Sequence, residues 1–143
     1  MDYAAESNVE YRDRKRIKNS KDVYDVAREL IPDDQKESFI GIYLNTKNEI
    51  IKSELISIGS LNFAPIHPRE VFKPAILNSA NSVIVVHNHP SGDVDPSRDD
   101  EEITRRLMDA GKILGIEVLD HVIIGDGYLS FKEHADKYLK KEG

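Results

Sequence analysis

Val83-Ile84-Val85-Val86-His87-Asn88-His89-Pro90, followed at once by Ser91-Gly92-Asp93-Val94-Asp95-Pro96-Ser97-Arg98-Asp99-Asp100, is the stretch on which the reading of this chain turns. An apolar, β-branched run reads as a buried strand. Side chains alternate between the faces of a strand, so His87 and His89 point the same way at its end. A carboxylate arriving from the next element would complete a three-ligand metal site. Catalytic zinc sites have that form, with a fourth position left open for water. Ser97 reads as a helix N-cap, and Asp100, three residues on, falls in the first turn of that helix. Pro90, Gly92 and Pro96 supply the bend that folds the helix start back over the strand end. His87, His89 and Asp100 can then converge on one ion; two nitrogens and an oxygen suit zinc, with iron and manganese left open.

Working outward, Val23, Val26, Ala27 and Leu30 recur at helical spacing after Ser20, a plausible N-cap, and Pro32 stops that helix. Phe39 to Leu44 reads as a strand, Asn45-Thr46-Lys47-Asn48 as a hairpin turn and Glu49 to Ile58 as the return strand. Gly59 to Ala64 reads as an irregular exit. Pro68 opens a second helix with Val71, Phe72, Ala75 and Ile76 on one face. After the histidine loop, Ile103, Leu107, Ala110 and Leu114 carry a third helix, with acids crowding its first turn and Gly115 as its C-cap. Ile116 to Ile124 is another strand, Gly125-Asp126-Gly127 a turn, Tyr128 to Phe131 a short strand, and Glu133 to Lys141 a short polar helix. The order is mixed α and β around a central strand at 83–86. Residues 1–19 lack apolar periodicity and hold a basic cluster (Arg12, Arg14, Lys15, Arg16, Lys18, with Lys21 beyond). They read as a flexible terminal segment, and 20–143 as one domain.

Composition narrows the chemistry. The 143 residues suffice for one domain with its own core. The absence of cysteine excludes disulfides, thiolate zinc clusters and a cysteine nucleophile, so any metal is held by His, Asp or Glu. A net charge of −6 argues against a general nucleic-acid binder. No apolar run approaches the roughly 20 residues of a membrane span, and no basic-then-apolar leader pattern opens the chain, which points to the cytoplasm. Asp93-Val94-Asp95-Pro96-Ser97 mimics the start of a calcium loop, but Arg98 stands where that loop needs glycine and Thr104 where it needs glutamate. The letters His-Asn-His do not indicate the nuclease family of that nickname, whose residues are dispersed along a longer motif.

The arrangement His87-x-His89-x7-Ser97-x2-Asp100 resembles the JAMM, or MPN+, metalloprotease motif. The wording His-Asn-His-Pro-Ser-Gly-Asp with Pro96-Ser97-Arg98 is closer still to the bacterial RadC-like family. So are Leu61-Asn62, His67-Pro68-Arg69-Glu70-Val71-Phe72, Gly115-Ile116, Leu119-Asp120-His121 and Ile124-Gly125-Asp126-Gly127. The resemblance covers most of the chain. It implies a three-layer α/β/α cytidine-deaminase-like (JAMM/MPN) fold with a mixed sheet, a zinc ion, and hydrolysis of peptide or isopeptide bonds in a peptide or protein substrate. By the motif, His87, His89 and Asp100 are the zinc ligands and Ser97 supports the site, donating to the oxyanion. The motif also needs an upstream glutamate as general base: Glu37, just before a strand, is the first choice and Glu54, on the return strand, its rival. Asp100 is expected to favour the metal over its own helix cap. Among the other histidines, His67 starts a helix, His121 reads as a satisfied core residue or a partner to a ligand, and His134 lies on the polar tail. Two other functions stand beside the enzyme. One is a DNA-associated module, because the RadC-like family carries a DNA-repair label, although the helix-hairpin-helix region that often precedes the domain has no counterpart in this sequence. The other is a metal-free scaffold, which the presence of all three ligands disfavours.

Overall fold

Period-two alternation in the central strands divides the molecule into layers. The computed structural model describes residues 14–59 and 66–139. Its elements are α1 (Ser20–Leu30), β1 (Glu37–Leu44), β2 (Ile50–Gly59), α2 (Pro68–Leu77), β3 (Ser82–Asn88), α3 (Arg98–Leu114), β4 (Glu117–Gly125) and β5 (Gly127–Ser130), then a 3-10 turn (Lys132–His134) and α4 (Ala135–Tyr138). The strands form one mixed sheet in the order β2-β1-β3-β4-β5, antiparallel except for the parallel pair β3 and β4. The 17-residue α3 makes the crossover that a parallel pair requires.

Phe39, Tyr43, Val83 and Val85 face α2 and α3, where Val71, Phe72, Ala75 and Leu107 cover them. Ile40, Ile42, Leu44, Ile84 and Val86 face the other way, against Val23 and Ala27 of α1. Both faces of β3 are therefore apolar, as a strand buried under helices on two sides must be. This is the expected α/β/α arrangement, with β3 central. Among the described residues no helix is long and apolar enough to cross a membrane.

Several local readings change. Asn19, not Ser20, caps α1: its side chain accepts from the Asp22 N–H at 2.9 Å. The terminal segment set apart at 1–19 is divided. Residues 1–13, and with them Arg12, lie outside the described residues, as do 60–65, which include all of the expected exit from β2 beyond Gly59. Residues 15–17 belong to the fold: the Ile50 N–H donates to Lys15 O and the Ile17 N–H to Asn48 O, each at 2.8 Å, and Ile17 is buried. Of the stripe expected on α3, Leu107 is buried and Ile103 and Ala110 pack against the core; Leu114 is exposed, and Thr104 and Gly111 are buried as well. At Gly111 a Cβ would stand 2.4 Å from the Ile116 carbonyl, so the end of the helix lies directly on the backbone that leads into β4. The polar tail becomes the 3-10 turn and one turn of α-helix, anchored by buried Tyr138.

Candidate metal centre

The sheet delivers His87 at the end of β3, opposite Phe39 of β1. The next residue on that face, His89, lies just past the strand, held by its N–H donating to Ile124 O of β4 at 2.8 Å. The loop that follows is tied down on the β4–β5 turn: the Asp126 N–H donates to Gly92 O at 2.7 Å. Gly92 has φ +90°, a conformation that glycine tolerates best. A Cβ on Gly125 would come within 2.4 Å of Gly92 O. Two glycines thus let loop and turn touch, and the loop so held brings the start of α3 over the strand end.

Three side chains meet there. His87 Nε2 lies 2.9 Å from His89 Nε2 and 3.0 Å from Asp100 Oδ1, and His89 Nε2 lies 3.1 Å from Asp100 Oδ2. Asp100 caps its helix with one oxygen and keeps the other clear of the cap. Ser97 Oγ accepts from the Asp100 N–H at 3.1 Å, and Asp100 Oδ2 accepts from the Ser97 N–H at 2.9 Å, so the capping box closes. Oδ1 takes no part in the box and faces His87. Asp100 therefore closes the cap and still presents an oxygen to the histidines. The Ser97 hydroxyl, an acceptor in the cap, keeps its own proton free to donate.

Glu37 joins this cluster. As the first residue of β1, it brings a carboxylate oxygen within 4.8 Å of the ligand nitrogens of both His87 and His89. Glu54 does not join it: it sits mid-strand in β2 opposite Gly41 and faces Lys52 at 3.9 Å. Glu37 is held by a residue that the sequence reading passed over. The buried Asn88 side chain accepts from the Ser38 N–H at 2.7 Å and donates to Lys36 O at 2.9 Å, clasping the two peptide groups that flank Glu37. Its signal in the sequence was an amide at the end of an apolar strand, where a buried amide must find partners.

Behind His87 stands His121, fully buried, with its Nε2 2.8 Å from His87 Nδ1 and its Nδ1 2.5 Å from Thr104 Oγ1. Burial, then the neighbouring His87, pushes its pKa well below the ordinary histidine value, so the ring is neutral. The expectation that His121 is a satisfied partner rather than a ligand matches this placement; Thr104 had no signal beyond its position four residues after Asp100. The hydrogen bond to Asp100 raises the pKa of His89, with burial opposing it. Burial pushes Asp100 up, but its contacts with His87 and His89 outweigh that and hold it well below the usual carboxylate range. His67 caps α2 with Pro68 behind it, and His134 is exposed on the 3-10 turn.

The donor set fits a metal ion. His89 Nδ1 lies 2.6 Å from Asp93 O, an acceptor only, so Nδ1 carries a proton and the neutral ring would turn the lone pair of Nε2 to an ion. A carboxylate and imidazole nitrogens packed this closely repel one another unless a positive charge lies among them. A tetrahedral ion with bonds of about 2.0–2.1 Å spaces its donors about 3.3 Å apart; these stand 2.9–3.1 Å apart before any ion is placed. Beside them opens a cavity of about 210 Å³, lined by apolar Phe39, Ile66 and Ile103, with Glu37, His87 and Asp100 on its wall.

Comparison with known proteins agrees with this geometry. The profile of the RadC-like JAB domain matches residues 17–137. A UPF0758 protein of Methanosarcina mazei is 54% identical over 121 residues, covering 84% of this chain and 53% of its own length. One from Rubrobacter xylanophilus is 55% identical over 118 residues, covering 82% of this chain and 52% of its own. Another, from Bacillus cereus, is 52% identical over 126 residues, 87% and 56% respectively. The chain thus spans about half the length of these curated relatives. With the motif residues gathered at one strand end and the profile running through nearly all of the described residues, the chain belongs to the RadC-like JAB domain family.

Proposed function

We propose that this domain is a zinc-dependent hydrolase acting on peptide or isopeptide bonds. The observation that carries the reading is the meeting of His87 Nε2, His89 Nε2 and Asp100 within 3.1 Å, beside the Glu37 carboxylate. His87, His89 and Asp100 would hold the ion. When bound, zinc supplies Lewis acidity and lowers the pKa of water from 15.7 to about 7.

The chain's own residues divide the remaining work. Glu37 accepts a proton from the attacking water as its oxygen bonds to the scissile carbonyl carbon. It returns that proton to the amine nitrogen as the C–N bond breaks, leaving a carboxylate and a free amine. Asn88 fixes the backbone on both sides of Glu37, so the base is positioned before substrate arrives. The Ser97 hydroxyl donates to the developing oxyanion. The cavity, with apolar Phe39, Ile66 and Ile103 beside charged Asp99, Glu102 and Arg106, suits a substrate side chain next to the scissile bond.

The test is a pair of variants assayed for zinc and for cleavage of a peptide library and a lysine-linked isopeptide. Glu37→Gln is expected to keep about one zinc per chain and to lose at least about 10²-fold in turnover, within the usual range for a general base. Glu54→Gln is expected to keep both. Full turnover in Glu37→Gln, or its loss in Glu54→Gln, overturns the assignment of the base; a folded wild-type chain that takes up no zinc overturns the hydrolase.

A further inference from the structure

His87 reaches the metal centre at the end of a chain of hydrogen bonds that begins inside α3. The Thr104 hydroxyl donates to the Asp100 carbonyl at 2.6 Å. A hydroxyl has one proton, so Oγ1 meets His121 Nδ1, 2.5 Å away, as an acceptor. His121 then carries its proton on Nδ1 and turns the lone pair of Nε2 towards His87 Nδ1 at 2.8 Å. His87 must donate there, so the neutral ring has its lone pair on Nε2, and that is the atom facing His89 and Asp100. Thr104 and His121 are each 0% exposed, so solvent cannot replace either link. Phe131 stacks on the His121 ring at 4.7 Å and 6°, fixing its plane.

Building on the metal-centre reading above, we infer that Thr104 and His121 are positioning residues that hold His87 in its Nδ1–H tautomer, with Nε2 free for zinc. The same Thr104 hydroxyl grips the backbone of Asp100, so one side chain aligns two ligands from different elements. Without the acceptor at Thr104, His121 can satisfy itself by donating from Nε2 to His87. His87 then carries its proton on Nε2, where the metal belongs. Partners that orient metal-binding histidines typically contribute about 10–100-fold in affinity.

The test uses the full chain, with zinc affinity measured by chelator competition for wild type, Thr104→Val and Thr104→Ser. Valine keeps the shape and removes the hydroxyl; serine keeps the hydroxyl. Thr104→Val is expected to bind zinc about 10–100-fold more weakly, and Thr104→Ser within about two-fold of wild type. Long-range proton–nitrogen spectra of the metal-free wild-type protein are expected to show His121 and His87 both protonated on Nδ1. A Thr104→Val chain that melts earlier but binds zinc as wild type does overturns the inference while leaving the metal centre standing. So does a wild-type spectrum with His121 protonated on Nε2, a measurement that holds even if Thr104→Val does not fold. A wild-type chain that takes up no zinc overturns the metal-centre reading itself, and the inference with it.

Discussion

Asp100 and Asp120 are both carboxylates withdrawn from water, and the protein treats them in opposite ways. Asp120, on β4, receives the Ser130 hydroxyl at 2.5 Å, the Lys132 N–H at 2.9 Å and the His121 N–H at 2.8 Å. Each of these three partners is a donor, and the group pins the end of β5 and the turn after it to the sheet. Asp100 receives one backbone N–H, from Ser97, and otherwise faces two imidazole nitrogens. The residue beside Asp120 in sequence, His121, points to the opposite face and belongs to the Asp100 cluster. A carboxylate surrounded by donors is complete as it stands. One facing imidazole nitrogens is complete only when a positive charge, a proton on the rings or a cation among them, joins it, and that difference separates a structural site from a chemical one within a few residues of chain.

The sharpest way to break this comparison is to truncate both. Asp100→Ala is expected to reduce bound zinc from about one per chain to near none, while the metal-free fold loses about 1 kcal/mol because the Ser97 N–H loses its acceptor in the capping box. Asp120→Ala is expected to keep its zinc and to lose about 3 kcal/mol, since buried donors left without an acceptor cost about 1–3 kcal/mol each. Elemental analysis and urea denaturation with chelator present read the two effects separately. If the two variants exchange outcomes, the division between the sites is wrong.

A backbone variant probes how tightly the chemical site depends on its frame. Gly125→Ala drives a methyl group against Gly92 O, a backbone atom that cannot swing aside. Overpacking of this kind costs about 1–3 kcal/mol. The loop must shift, and it carries Asp93, whose carbonyl orients His89. Zinc affinity is expected to fall together with the urea midpoint. A loss of stability with affinity unchanged would show that the loop moves without His89.

The two sites also differ in how far the sequence disclosed them. The ligands were legible because strand periodicity places His87 and His89 on one face and a serine cap places Asp100 one turn into a helix; both rules are local. The layers were legible for the same reason, since Val83 to Val86 is apolar on both faces. What stayed hidden depends on contacts between distant segments. Asn88 matters because Lys36 and Ser38 lie beside it, and Thr104 because β4 brings His121 against α3. Asp120 looked like part of a family phrase, with no local sign that Ser130 and Lys132 would surround it. The α3 stripe was legible through Ile103, Leu107 and Ala110, which pack in the core, but the close approach of the Ile116 backbone to Gly111 was not, because no periodicity reports a neighbour's backbone.

Asn88 offers a smaller test that keeps the metal in place. Asn88→Ala orphans the Ser38 N–H and the Lys36 carbonyl, at an expected cost of about 1–2 kcal/mol. Its effect on chemistry is expected to fall on turnover, because Glu37 loses its clasp while His87, His89 and Asp100 keep their places. Zinc stoichiometry should hold. A fall in zinc content equal to the fall in turnover would place Asn88 with the ligands instead of with the base.

The finest distinction lies in protons. Burial raises the Asp120 pKa above its ordinary 3.8, Glu133 adds to the rise, and the hydrogen bonds from Ser130, Lys132 and His121 oppose it without cancelling it. The folded state therefore holds this proton more firmly than the unfolded chain does. The stability so gained is complete below about pH 3.8 and is lost as pH rises through the raised folded value. Asp120→Asn carries no such charge and should lack that slope. Measured with chelator present from about pH 4 to about pH 7, the stability of wild type relative to Asp120→Asn is expected to fall as pH rises. Other titrating groups, Asp100 among them, contribute equally to both chains and leave the difference. A flat difference would mean that Asp120 ionises as readily in the fold as outside it, and that its three donors offset the whole cost of its burial.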